Sequence, residues 1–343
     1  MINIQNKLQN IRDFSKDALK IGKKYPHVQI NYERIPKIAD ALAKQYMDRL
    51  QFTMQAFPIK DRLANDSEIF MTELIANSIN FCYWFGRHDL RPGNASANNM
   101  YKLLRESINE WMEYGGKFPS LGYAKDISCY MLNNNLLEIF KNKMIEKGYP
   151  LVKDRISNLL ELKPKTDLFI NYLTHKITLI NPIYDVRLCS GMTHFLKYII
   201  DQLSDIDPEY ILAALIESFD CYSSDFFLKR AQLFIMQLQR YFNCWKEEQF
   251  SSFTVPSDYQ LPKVLRHLGI IDYSNDLYDR IICREELIAK GSLEEIQIRS
   301  ATILACDAIA KHLDTTSFTV DNLFWQSRKI TNDPFHLTYT TDY

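Results

Sequence analysis

Apolar residues recur along this chain mainly at spacings of three and four, the period of a helix with one buried face. The pattern predicts helices over 36–52, 67–85, 98–114, 134–147, 166–178, 189–203, 208–219, 225–245, 260–269, 274–289, 293–313 and 319–329. Prolines 58, 92, 119, 150, 164, 182, 208, 256 and 334 fall almost entirely between these segments, where helix breakers belong. Pro262 sits in a first turn, where a missing N–H costs nothing. Asp207 before Pro208, and Ser292 followed by Glu295, mark helix starts, the latter as a capping box. Strand-like runs are few; His336–Thr341 alternates and is expected to add a short extended tail. No repeat, low-complexity stretch or Gly/Ser linker interrupts the pattern, and ten glycines leave little room for flexible joints. The expected fold is all-α: a single helical domain over 1–343, with room for two lobes meeting around residues 182–225 and a central pocket between them.

Composition narrows the function classes. Hydrophobic residues make up 46% and charged residues 24%, an ordinary globular balance. The aromatic share is 13%; most of these rings belong to the core, and a few could line a pocket for a planar ligand. The 41 basic and 42 acidic residues leave a net charge of −1, so the global excess of positive charge that grips duplex nucleic acid is missing. A small ligand is favoured over stable nucleic-acid binding. Seven scattered cysteines without a C-x-x-C pair read as reduced thiols. The opening residues lack the apolar stretch of a secretion signal, and no run approaches the ~18–20 apolar residues of a membrane span. The protein is expected to be cytoplasmic. The seven histidines show no H-x-x-x-H or E-x-x-H spacing, so no metal is expected. Glycine loops for dinucleotides or phosphates are absent as well.

Asp258 carries the sharpest chemical question. It stands just ahead of the apolar helix 260–269, where a side-chain oxygen can cap the helix for about 1 kcal/mol. It can equally present a negative charge to a pocket, stabilising a cationic sugar-like transition state or orienting a water. Lys229 and Arg230 lie near the start of helix 225–245; their ordinary role is a solvated cationic face, and the alternative is a phosphate anchor. Phe81 and Trp84 end helix 67–85 and are most simply core rings. With Asn80 beside them they also offer a stacking and hydrogen-bonding site for a purine-like base. Glu295 and Arg299 are one turn apart in the favourable order, as a surface pair worth about 0.3–0.5 kcal/mol or as an inward pair that orients another side chain. His267 reads as a core histidine or one supporting Asp258.

Six segments, taken in order, resemble the queuosine salvage family. They are NSINFCYW (Asn77–Trp84), ESFDCYSSD (Glu217–Asp225), KRAQ (Lys229–Gln232), DYQLPKVLRHLG (Asp258–Gly269), EEIQIR (Glu294–Arg299) and PFHLTYTTDY (Pro334–Tyr343). The resemblance runs from about residue 67 onward and implies an all-helical fold similar to helix-hairpin-helix DNA glycosylases. It also implies hydrolysis of the N-glycosidic bond of queuosine 5′-monophosphate, giving queuine and ribose 5-phosphate without metal or organic cofactor. By that resemblance Asp258 is the catalytic aspartate and Lys229 an active-site lysine, with Arg230, Asn80, Phe81, Trp84, Tyr259, Glu295, Arg299 and His336 around the substrate. The chain departs from the family in lacking a Tyr/Gly/Trp-rich segment within Arg87–Leu104, in Pro256 standing two positions before Asp258, and in Gln297 replacing a second acid. A deazapurine-binding protein without turnover is the alternative, and a DNA base-excision glycosylase rests on fold analogy alone.

Overall fold

The computed structural model describes residues 1–22, 26–46, 66–84, 97–114, 134–180 and 192–343. Among these, the longer helices are α1 (Ile4–Ala18), α2 (Ile35–Tyr46), α3 (Asp66–Ser78), α4 (Ala97–Glu113), α5 (Asn134–Glu146), α6 (Val152–Ile180), α7 (Met192–Asp201), α8 (Pro208–Ser218), α9 (Lys229–Phe242), α10 (Gln260–His267), α11 (Leu293–His312) and α12 (Ser317–Ser327). The described residues are therefore mostly helical. Two three-residue strands, β1 (Val28–Ile30) and β2 (Ile271–Tyr273), pair antiparallel with Val28 opposite Tyr273. The expected helix ends at 47–52, 85 and 189–191, Pro58, Pro92, Pro119 and Pro182, and the 182–191 part of the lobe junction lie outside the described residues.

Several caps form as their chemistry demands. Asp207 accepts the Glu209 N–H with Pro208 opening α8, and Ser292 accepts the Glu295 N–H at the start of α11. The Glu295 side chain reaches back one residue further than a capping box requires, to the Gly291 N–H at 3.1 Å.

Other expectations are corrected. Helix α1 was not anticipated: its buried stripe of Ile4, Leu8, Ile11, Ser15 and Ala18 is sparse in large apolar residues and contains a serine. Pro164 does not separate two helices but lies inside the 29-residue α6; its missing N–H leaves the Leu160 carbonyl without an intrahelical donor, while flanking packing keeps both sides helical. The expected helix 274–289 is only Asn275–Tyr278 followed by a wide turn over Asp279–Cys283, ending where Glu285 adopts φ 49°. The His336–Thr341 tail makes a single bridge, between Leu287 and Leu337, rather than a strand. The two-stranded sheet was missed because three residues are too few to show a period.

One apolar cluster runs from Ile4 to Leu337 and draws on nearly every helix. α11 lies against α1, α2, α10, α12 and β1, while α9 packs on α3 and α8. Twelve of the fourteen residues of α9 are buried, among them Lys229, Arg230, Gln232, Gln237, Gln239 and Arg240. A helix enclosed on all sides must satisfy such groups from within, and this builds the polar interior of the molecule. No described helix is long and apolar enough to cross a membrane.

Candidate active site

The chain enters α10 through the buried run Phe253–Asp258. Asp258 Oδ1 accepts the N–H groups of Gln260 at 2.7 Å and Leu261 at 3.4 Å, satisfying two donors that a helix start otherwise leaves unpaired. The capping role is thus present, but it occupies one oxygen. Among the described residues no donor is placed on Oδ2. The residue is only 8% exposed. Burial raises its carboxyl above the usual range, while the Lys229 charge, the two main-chain donors and Arg299 act in the opposite direction. Capping a helix and presenting a charge are therefore compatible in one side chain.

Lys229 and Arg230 are buried rather than solvated. Helix 225–245 begins four residues later than its apolar spacing suggested, because Leu228 takes the left-handed conformation at φ 56°, a strained state for a branched apolar residue. Asp225 holds this turn by accepting the N–H groups of Phe227 at 3.1 Å and Lys229 at 2.8 Å. The turn aims the Lys229 ammonium inward, where it donates to the Asn80 carbonyl at 3.2 Å. Burial lowers the Lys229 pKa to about 8, against the opposing field of Asp258.

Arg299 and Glu295 form the inward version of their helical pair, 3.6 Å apart and nearly without solvent exposure. Arg299 grips Asp225 through two parallel bonds of 2.8 Å, the strong bidentate geometry. Burial works against the guanidinium, yet Asp225 and then Glu295 hold its pKa above the usual value. Burial also pushes the Glu295 carboxyl up, opposed by Arg299. His336 lies beyond this pair, its Nε2 3.1 Å from the Tyr343 hydroxyl; burial and then Arg299 lower its pKa to about 3, so the ring is neutral.

The 77–84 segment forms an aromatic wall. Phe81 lies between two guanidiniums, Arg155 at 4.3 Å and Arg230 at 5.2 Å from the ring centre. Arg155 also donates to the carbonyls of Ile79, Phe81 and Cys82, fixing a stretch in which Cys82 adopts φ 36°. Arg230 donates to the Ser78 carbonyl at 2.5 Å. Trp84 meets Tyr259 edge-on at 4.4 Å and Phe335 at 5.5 Å, and its buried Nε1–H has no partner among the described residues. Asn80 accepts from the Tyr83 hydroxyl at 3.0 Å. Gln297 stands elsewhere, tying the end of α1 through the Ala18 and Ile21 carbonyls. His267 is at the surface beside Asp333, at 3.2 Å, rather than supporting Asp258.

The sequence did not single out a second buried array on α12. Asp321 and Asn322 both accept from Arg240 Nη2, at 3.3 and 2.6 Å, and among the described residues the buried Asn322 Nδ2 has no partner. Burial pushes the Asp321 pKa up to about 7, and Asp258 and Lys229 are among the charges acting on it. Half-buried Arg328, at the end of the same helix, also feels Asp258. The one available signal was an acid-amide pair inside an otherwise apolar helical period. Among the described residues no group of three or more His, Cys, Asp or Glu side chains is placed to hold a metal ion.

Comparison with known proteins follows the same outline. The model of the queuosine salvage protein family matches residues 193–341, which include Asp225, Lys229, Asp258, Glu295, Arg299 and Asp321. A protein of Sphaerobacter thermophilus named queuosine 5′-phosphate N-glycosylase/hydrolase is 26% identical over 92% of this chain and 93% of its own length. Relatives of the same name from Schizosaccharomyces pombe and Bos taurus are 29% and 25% identical, over 74% and 66% of this chain and 73% and 71% of theirs. Residues 193–341 are thus similar to the queuosine salvage protein family, and along most of its length the chain resembles proteins named queuosine 5′-phosphate N-glycosylase/hydrolase.

Proposed function

We propose that this protein is an N-glycosidase that hydrolyses queuosine 5′-monophosphate, releasing queuine and ribose 5-phosphate, with Asp258 as the catalytic carboxylate. The names of its relatives support the substrate. The observation that carries the chemistry is a buried aspartate with one oxygen spent on a helix start and an ammonium in its field. Cleaving the bond from C1′ to the base nitrogen sends the electron pair to the base and leaves positive charge on the sugar. An ionised Asp258 beside C1′ stabilises that charge more than the neutral ground state. Water then adds to C1′ and gives one proton to Asp258, which passes it on to the departing nitrogen and returns to its ionised form, so the balance is addition of water across the bond. Lys229 keeps Asp258 ionised in a buried setting, and the Asp225–Arg299 pair fixes the turn that presents Lys229.

The remaining groups fit the rest of a nucleotide. Trp84 and Tyr259, with Phe335 beside them, offer faces for a planar base. The guanine-like edge of queuine presents N–H donors beside a carbonyl acceptor, for which the second oxygen of Asp321 and the Nδ2 of Asn322 supply an acceptor and a donor; on the expected Asn80 both oxygens already accept hydrogen bonds. Arg328 suits the 5′-phosphate because it is only half-buried, although it donates to the Trp325 carbonyl, whereas Arg230 is fully enclosed against Ser78 and Phe81; Arg230, Glu295 and His336 then support the walls instead of touching the substrate. A central cavity, a single helical domain, kinship with helix-hairpin-helix DNA glycosylases, a cytoplasmic location and independence of cofactors belong to the same proposal. The non-catalytic alternative is not favoured. Purified protein mixed with queuosine 5′-monophosphate should yield queuine and ribose 5-phosphate in equal amounts by mass spectrometry; tight nucleotide binding with no product would instead establish the binding protein.

A further inference from the structure

We propose that Tyr343 is a positioning residue that sets the spacing between the two walls of the active site; the role rests on the reading above. The 334–343 segment folds back across the molecule and places Tyr343 at full burial. Its ring lies against the Arg299 guanidinium at 4.5 Å, and the Phe227 ring lies 4.4 Å from the same guanidinium, so two aromatic rings contact the cation. Arg299 in that position grips Asp225, and Asp225 holds the turn that aims Lys229. The main-chain carbonyl of Tyr343 accepts the Cys82 N–H at 2.8 Å, at the strained residue two positions before Trp84. One residue thereby ties the cation array on α9 and α11 to the aromatic wall at 81–84. Loss of the ring frees Arg299 to turn away, and its field on Asp258 weakens.

The test compares Tyr343→Leu, which keeps an apolar side chain but no aromatic face, with Tyr343→Phe, which keeps the face. Asp342→Ala serves as a control, because Asp342 anchors the same segment through Lys290 at 2.8 Å without touching Arg299. Each variant is measured for kcat, KM and pH profile on queuosine 5′-monophosphate, for thermal midpoint, and for hydrogen exchange of peptides covering 79–84 and 225–229. Tyr343→Leu should lose about tenfold in kcat and exchange faster in both peptides. The acid limb of its kcat/KM profile should move to higher pH, because Arg299 lowers the Asp258 pKa in the intact site. Tyr343→Phe should restore all three, and Asp342→Ala should leave them unchanged. Unaltered kcat and acid limb in Tyr343→Leu, or exchange that rises equally in Asp342→Ala, would overturn the proposal. Wild-type protein that releases no queuine defeats the assigned reaction, and the exchange data then decide the role of Tyr343 alone.

Discussion

At the scale of single residues, burial moves the protons on which the reaction depends. Asp258 is raised above the ordinary carboxylate range and Lys229 lowered to about 8. The reaction needs Asp258 ionised and Lys229 protonated, so kcat/KM should follow a bell. Its acid limb should lie above the usual aspartate pKa and its alkaline limb near pH 8. Lys229→Met should lower the rate and abolish the alkaline limb; an unchanged limb would assign it to another group. Arg328 gives a separate test. Arg328→Gln should raise KM for queuosine 5′-monophosphate about tenfold or more while barely changing KM for the unphosphorylated nucleoside, since only one of them presents a phosphate to a cation. Equal losses on both substrates would remove Arg328 from phosphate binding. Asp258 and Lys229 were already candidates in the sequence, Asp258 as an acid ahead of an apolar helix and Lys229 through the resemblance of the KRAQ segment to the family. Asp321 was not, because its role comes from an electrostatic neighbourhood assembled by α9, α10 and α12, which no local pattern encodes.

At the scale of elements, α9 and α11 are held together by a buried ion pair, Asp225 with Arg299. Breaking one side leaves an uncompensated buried charge, at a cost of about 3–5 kcal/mol. Arg299→Met should therefore lower stability to urea by that order, and Asp225→Asn added to it should recover part of the loss. A double variant no more stable than the single one would mean the pair contributes through packing only. Asp321 gives a pH-dependent counterpart. Its folded pKa of about 7 lies above the unfolded value near 3.8. Its contribution to stability is thus fully present below pH 3.8 and lost as pH rises through 7. The urea stability of Asp321→Asn relative to wild type should accordingly grow from pH 4 to 7 and level off above; a flat difference would contradict the burial of an ionisable acid there. Helix periods exposed most of these elements, and caps at Asp207 and Ser292 set their starts correctly. The failures have plain physical causes. Pro164 was overridden by packing along α6, the left-handed Leu228 cut off the start of α9, and α1 covers the core with too few large side chains to announce itself.

At the scale of the whole molecule, one apolar core joins helices distant in sequence, and the polar interior lies where α9, α10, α11 and α12 meet. A reaction carried by side chains alone should survive exhaustive dialysis against EDTA with its rate unchanged; loss of activity restored by added metal would contradict this. The near-zero net charge further predicts that activity on the nucleotide is not competed by duplex DNA at low salt. The central claim is that the free oxygen of Asp258 faces the anomeric carbon, and a single-turnover comparison of wild type with Asp258→Asn tests it most directly. The asparagine keeps an oxygen for the Gln260 and Leu261 N–H groups, so the fold and queuine binding should persist while the rate of base release falls about 10²–10⁴-fold. Base release at the wild-type rate by a folded, ligand-binding Asp258→Asn protein would reduce this residue to a helix cap and contradict the mechanism.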